Sequence, residues 1–432
     1  MVTKSLAAQQ ETAVSPQVLK VAYVMQNVGV DLASDLGQVI LIRHTVQELI
    51  ARGHDVDVIT LNGRDVLGID DIHFPNETWQ AKQGVAGTRP FRLLESAIRR
   101  LQRETKFPYL ALFDSFRFYQ ATRRALAQYD ICHEYAGLLS VGAAFACKKS
   151  GKPYVITADA DLLLEHAVAG EPLRGIQQKM ARWAAQTNYR LADKIICVSE
   201  PARRSLIDHW DVDPAKIEVI PNGVDVALFS QPVDKTAVRR QWHIAPNAPV
   251  IMFVGGFQPW HGIDVLVNSF ADLLISFPKA QLLLVGDGPA RENVEALVQS
   301  RRLSDNVHMI GRIPHTYIPS LLAIADVVTI PYPRLPRELW FSPLKLYEYM
   351  AAGKAIVASR AGQIGEVLVD QQNALLVEPG DEAALTEAIV TLLRQPELRA
   401  KLGMRAQQQA KTEHSWGRQV ERLEAVYWEI VG

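Results

Sequence analysis

Glu338, Lys345 and Glu348 put carboxylates and an ammonium into one stretch of chain, ELWFSPLKLYEYMAAG, residues 338–353. Carboxylates can orient hydroxyl groups; an ammonium beside free backbone N–H groups can hold a phosphate. Leu344, Tyr347, Met350 and Ala351 recur at helical spacing. Ser342 suits the N-cap, and Pro343 suits the first helical position, where a missing N–H costs nothing. Gly353 suits the stop. The stretch therefore reads as a loop feeding the positive end of a short helix. Lys345 in the first turn opposes the helix dipole, and an anion nearby would offset that. The same residues also fit an ordinary capped core helix with a solvated lysine.

Other candidates lie where apolar runs end. His133, Glu134, Asp159, Asp161, Ser199 and Glu200 each follow or close a run that reads as a strand. In open α/β sheets ligands sit beyond the carboxyl ends of strands. Singly, each residue is also an ordinary cap or turn residue. Asp159-Ala160-Asp161 matches a metal-binding Asp-x-Asp, but no further ligand is evident, and no metal is expected. Glycine turns follow strands in the second half: Gly255-Gly256, Gly286-Asp287-Gly288 and Gly311-Arg312. Such turns let backbone approach a phosphate. The 311–313 backbone, through Arg312 and Ile313, could face a nucleobase. The loop 28–37 holds Gly29 and Gly37 but no G-x-G-x-x-G, so it carries no dinucleotide fingerprint.

These residues need elements to position them, and the pattern supplies two similar sets. In the first half, strands are expected at 20–27, 55–61, 131–133, 154–157, 194–198 and 217–220, with helices at 38–52, 139–149 and 177–191. Residues 63–128 are less regular, with helices at 92–103 and 117–128 edged by arginines. In the second half, strands at 250–254, 281–285, 307–310, 327–331, 355–358 and 374–377 alternate with helices at 262–275, 290–300, 317–325, 364–369 and 381–393. Alternation of this kind means two doubly wound α/β domains facing a cleft. The expected division is a disordered tail at 1–18, a first domain at 19–224 and a second, nucleotide-binding domain at 225–415. A closing amphipathic helix, 416–432, packs back on the first domain.

The composition excludes several classes. At 432 residues, with 48% hydrophobic and 22% charged residues, the chain is a globular protein with room for two cores. A net charge of -1 gives no global pull toward nucleic acid. Cys132, Cys147 and Cys197 have no metal spacing and suit a reducing compartment. No apolar run is long enough to span a bilayer. The basic helices near 92–124 give two readings: contact with anionic lipid, or a solvated face. Cytoplasmic placement follows, with peripheral contact to the membrane face under the first reading.

The second half resembles glycosyltransferase family 4. The resemblance rests on VGGFQPWHGIDVLVNSF (254–270), LLLVGDGPAR (282–291), IGRIPHTYIPSLLAIADVVTIPY (310–332) and FSPLKLYEYMAAGKAIVAS (341–359), with IPNGVD (220–225). It implies the GT-B fold. It also implies metal-independent transfer, with retention of configuration, of a sugar from a nucleotide-diphosphate sugar to an acceptor hydroxyl, the donor being a substrate and no cofactor being needed. The family signature has two glutamates. Glu348 matches the second, which binds the donor ribose. The first falls on Trp340, which cannot act as an acid, and Glu338 is the expected substitute toward the donor sugar. The family's diphosphate-binding arginine and lysine fall on Gly256 and His261. His261 keeps a possible donor, charged only if its pKa is raised, and Lys345 is the expected replacement cation. Asp159 occupies the neighbourhood of a family histidine close to the reacting sugar. The sugar or lipid-linked acceptor is expected beside Gly37, His133, Glu134 and Asp159. Ser342, Pro343 and Leu344 supply the helix start, and Gly286 and Gly288 the flanking turn. Two alternatives remain open: a catalytically silent sugar-nucleotide binder, and another GT-B enzyme such as a sugar-nucleotide epimerase or a phosphorylase.

Overall fold

A computed structural model describes residues 18–26, 32, 34–70, 72, 77–335, 340 and 342–432. Its strands form two sheets. The first holds β1 (Lys20–Met25), β2 (Asp55–Asn62), β3 (Asp65–Ile69), β4 (Trp79–Gln80), β5 (Ile131–Tyr135), β6 (Tyr154–Ala158), β7 (Lys194–Cys197) and β8 (Ile217–Val219). The second holds β9 (Val250–Val254), β10 (Gln281–Val285), β11 (Val307–Gly311), β12 (Val327–Ile330), β13 (Ala355–Ser359) and β14 (Leu375–Val377). Their orders are β4-β3-β2-β1-β5-β6-β7-β8 and β11-β10-β9-β12-β13-β14.

The apolar runs become central parallel strands because both their faces are covered. In β1, Ala22 and Val24 enter one core, while Val21, Tyr23 and Met25 enter the other. In β9 the same division sends Val250, Met252 and Val254 one way, and Ile251 and Phe253 the other. Both sheets reverse their winding beside their first strand, so the crevices open at the carboxyl ends of β1/β5 and β9/β12. The two doubly wound domains that the pattern implies are both present.

Several elements depart from the expected pattern. Residues 63–128 contain the antiparallel strands β3 and β4, added to the sheet edge. The basic helices are Arg89–Glu104 and Leu112–Ala125. The helices Leu162–Val168, Glu200–Trp210, Lys235–Gln241 and Pro396–Glu413 are additional. The closing helix Trp416–Val431 sends Val420, Leu423, Val426 and Tyr427 into the core of the first sheet, against Val39, Ile42 and Val46 of the helix Gly37–Ala51. Among the described residues, no helix is long and apolar enough to cross a membrane.

The sheets meet along a narrow seam. Ser199 Oγ donates to the Trp340 carbonyl at 2.7 Å. Asn222 donates from its backbone N to Ser342 Oγ at 2.9 Å, and from Nδ2 to the Ser342 carbonyl at 2.6 Å. Gln363 Nε2 donates to the Val198 carbonyl. Trp340 precedes the 344–351 helix of the second domain, yet its side chain, 2% exposed, packs in the first domain's core with Cys197, Ala202 and Leu206.

Candidate functional site

Strand β9 ends in Phe253 and Val254, and the chain then turns at Gly255. Gly255 has φ of 141°, and a Cβ there would lie 2.6 Å from Lys345 Nζ. Gly286, at the end of β10, has φ of 133°, and its Cβ would lie 1.9 Å from the Gly255 carbonyl oxygen. Both turns therefore need glycine, for backbone conformation and for space.

Lys345 comes to this turn from the helix Leu344–Ala351. Its side chain is buried, with the residue 7% exposed. Nζ lies 4.2 Å from the centroid of the Phe253 ring and 5.9 Å from that of Tyr332. Nζ has no hydrogen-bond partner. Burial pushes its pKa down to about 7, with the Glu348 charge acting in the opposite direction. Ring faces stabilise a cation only weakly compared with a lost hydration shell. The ammonium thus lies beside the glycine turn without a hydrogen-bonding counter-ion among the described residues. The alternative of a solvated lysine is excluded.

Glu348, one turn along the same helix, is buried. Its Oε1 lies 2.7 Å from His315 Nε2. Burial opposes a charge on His315, but the hydrogen bond and charge of Glu348, with Asp35 beyond, outweigh it and hold the imidazole above its usual range. The His315 backbone N also donates to Asp35 Oδ2 of the first domain at 3.1 Å. His315 sits in the stretch 310–332, in the turn after β11, but nothing in its spacing marked it beforehand.

The helix start differs from the expected form. Pro343 occupies the N-cap, with no side-chain cap bond. Ser342 is not that cap, because its hydroxyl is turned to Asn222 and Tyr347 in the seam. Leu344 approaches the start of the helix Gly37–Ala51: a Cβ on Gly37 would be 3.6 Å from its Cδ1. Gly37 and Leu344 thus bring two helix N-termini, one from each domain, side by side.

His261 does not supply a cation. Burial, then the neighbouring Lys345 charge, push its pKa well below the usual histidine range. Its ring stacks on Tyr332 at 5.5 Å and 7°. Nδ1 donates to the Gly256 carbonyl, which leaves Nε2 of the neutral ring as an acceptor. Gly256 stays open, and Gly288 packs against the Phe257 backbone. Arg312 is exposed, and Ile313 is half-buried against the second domain's core.

On the first domain, two expected acceptor-side residues are core residues. His133 Nδ1 meets the Tyr427 hydroxyl, and Nε2 meets Thr157 Oγ1 at 2.7 Å. The closing helix covers it, and burial pushes its pKa down to about 3. Glu134 is fully buried, with Ser140 and Tyr154 donating to its two oxygens. Burial raises its pKa to about 7. Asp159 is only half-buried, at the carboxyl end of β6, and accepts from the Tyr135 hydroxyl. Burial raises its pKa. Asp161 caps the helix Leu162–Val168. Glu165 of that helix, unmarked by the sequence, has its pKa pushed up to about 7 by burial and by Asp159 and Asp161. Ser199 caps the helix Glu200–Trp210 and belongs to the seam. Glu338 lies outside the described residues, as does Gly29. Among the described residues, no group of three or more His, Cys, Asp or Glu is placed to hold a metal ion.

Comparison with known proteins adds the following. The profile described as Glycosyltransferase Family 4 matches residues 37–228, and that described as Glycosyl transferases group 1 matches residues 234–409. A D-inositol 3-phosphate glycosyltransferase of Corynebacterium efficiens is 24% identical over 91% of this chain and 90% of its own. A D-inositol 3-phosphate glycosyltransferase of Segniliparus rotundus is 29% identical over 49% of this chain, which spans 47% of that relative's length. Anabaena HepE, solved in complex with UDP, aligns over 95% of this chain and 100% of its own, with a TM-score of 0.70 at 19% identity.

Proposed function

The chain belongs to the family 4 glycosyltransferases, and from that premise we propose that it moves a sugar from a nucleotide-diphosphate sugar to an acceptor hydroxyl, with retention of configuration and without a metal. The observation that carries the reading is Lys345: a buried ammonium, unpaired in hydrogen bonds, against the Gly255 turn. A donor diphosphate at that turn supplies the missing counter-charge. Breaking the sugar–phosphate bond loads negative charge on the leaving diphosphate. Lys345, the Gly255 and Gly256 amides and the N–H groups that open the helix Leu344–Ala351 are fixed there to stabilise it. Lys345 thus replaces the family's arginine and lysine, absent at Gly256 and neutral at His261. Glu348 binds the ribose hydroxyls, and the 311–313 backbone lies at the base. Asp159 stands on the acceptor side, at the carboxyl end of β6. The acceptor enters between the domains, near Gly37. Glu338 is proposed toward the donor sugar on the resemblance alone.

HepE was solved with UDP, which makes uridine diphosphate the first probe for this chain. The test is a thermal-shift and turnover panel of UDP-, GDP- and ADP-sugars with the parent chain, Lys345→Met and Glu348→Ala. A nucleotide that binds only the folded chain raises the melting temperature, by an amount that grows with the logarithm of its concentration relative to its Kd. A shift for one nucleotide, lost in both variants, supports the site; no shift with any nucleotide overturns it. The silent sugar-nucleotide binder is favoured by one observation: Trp340, at the position of the first signature glutamate, is buried in the other domain. Nucleotide binding without transfer or hydrolysis of any donor would decide for it.

A further inference from the structure

Lys345 and Glu348 carry opposite charges three residues apart on the helix Leu344–Ala351. Side chains so spaced are neighbours on a helix, and opposite charges there attract. Both residues are buried, which strengthens that attraction. Yet no ion pair joins them. Lys345 Nζ has no hydrogen-bond partner, while Glu348 Oε1 is bonded to His315 Nε2 at 2.7 Å. The carboxylate is turned to the imidazole and not to the ammonium on its own helix.

His315 is itself fixed on two sides. Its backbone N donates to Asp35 Oδ2 of the first domain at 3.1 Å. Its ring lies 5.5 Å from that of Phe229, a buried core residue. A glutamate has three rotatable bonds to order, and a partner of fixed position removes that freedom before a ligand arrives. An ionised carboxylate only accepts hydrogen bonds, so Nε2 is the donor. Among the described residues none donates to Oε2. That oxygen and the second lone pair of Oε1 are left for two hydroxyls. Without His315 the carboxylate is free to turn to the unpartnered ammonium. That pairing would consume both groups, the acceptor of the ribose hydroxyls and the cation of the diphosphate.

We propose that His315 is a positioning residue of the donor site: by holding Glu348 it keeps carboxylate and ammonium apart, so that one takes the ribose diol and the other the diphosphate. The proposal rests on the donor-site reading above and adds to it the residue that divides the site between two parts of the ligand.

The experiment is calorimetric titration of the full chain with UDP, GDP and ADP and with their 2′,3′-dideoxy forms, which keep the diphosphate and lack both hydroxyls. The parent should bind one ribonucleotide at least roughly tenfold tighter than its dideoxy form, the scale of one hydrogen bond to a charged group. Glu348→Ala should bring that ratio to about one. His315→Ala should do the same and also weaken the dideoxy form roughly tenfold, because Glu348 then neutralises Lys345. Adding Glu348→Ala to His315→Ala should restore the dideoxy affinity, a recovery that no loss of structure produces. His315→Gln keeps a neutral donor, should give an intermediate ratio, and carries the test if the alanine variant does not fold. A ratio lost in Glu348→Ala but undiminished in His315→Ala or His315→Gln overturns this proposal and leaves the donor site standing. So does a double variant that binds the dideoxy form no better than His315→Ala. A ratio kept in Glu348→Ala, or a parent that binds none of the nucleotides, overturns the donor-site reading and this proposal with it.

Discussion

Glu348 and His315 form a hydrogen-bonded pair, 2.7 Å between Oε1 and Nε2, where the second domain meets the first. The same His315 is tied through its backbone to Asp35 of the first domain, and Asp35 lies 3.7 Å from Arg43. The residue proposed for the ribose is thus linked through one side chain to the opposing domain.

The pair gives a pH signature. His315 has its pKa raised in the folded chain, chiefly by Glu348 acting against burial. Its stabilisation is complete below the histidine's unfolded value, near 6.5, and is lost as pH rises through the folded one. Replacing His315 with Gln should remove that slope, leaving a chain whose stability between pH 6 and 8 varies less. The lost charge-assisted bond is worth about 1.5–3 kcal/mol at low pH. Denaturant titrations of both proteins across that range decide it; parallel pH profiles would show the pair contributes nothing.

Lys345 should show opposite effects with and without ligand. Its pKa is pushed down to about 7 by burial. The unfolded chain therefore holds more protons above pH 7, and stability contributed by this group rises with pH there. Lys345→Met removes a buried cation and should stabilise the ligand-free chain below pH 7. It should also weaken nucleoside-diphosphate binding roughly 100-fold, the scale of one lost donor to a phosphate-like charge. Calorimetry on both proteins reads the two effects; a variant that is less stable and binds equally well contradicts the assignment.

Trp340→Glu restores the residue type of the family signature but should not improve transfer. Its side chain is rooted in the first domain's core. Emptying such a site costs about 3–5 kcal/mol, and a buried carboxylate adds to that. An unfolding midpoint that drops for Trp340→Glu, and less for Trp340→Phe, is the expected result. A rise in turnover for the glutamate variant would place position 340 in the donor site.

His133→Gln should leave acceptor affinity unchanged while lowering stability. Both ring nitrogens are occupied by Tyr427 and Thr157 beneath the closing helix. The KM for an acceptor, compared between parent and variant, checks it; a changed KM with an unchanged melting temperature would return His133 to the cleft.

The central strands and the alternation of both domains were legible because parallel strands with two covered faces leave continuous apolar runs. The hairpin of β3 and β4 was not, since a strand as short as Trp79–Gln80 has no periodicity to read. Lys345 could be marked from its awkward place in the first turn. Its burial and its aim at Gly255 depend on a strand from elsewhere in the chain. A serine before a helix looks like a cap whether its hydroxyl turns to the helix or, as that of Ser342 does, to Asn222. His133 and Glu134 stand at the carboxyl end of a strand, where sites are built. Strand position alone says nothing of the closing helix, more than two hundred residues later, that shuts one of them in.

Trp340 has a consequence for how such chains can be recombined. Its indole packs in the body of the first domain and its carbonyl accepts from Ser199 there, while the chain runs on into the second domain's helix Leu344–Ala351. A chimera that joins this second half to a relative's first half would carry the indole without its socket. A transplanted first half would keep a hole where the indole had been. Exchange of halves between relatives is therefore limited to those that share both plug and socket, and the loop and the core that receives it must be inherited together.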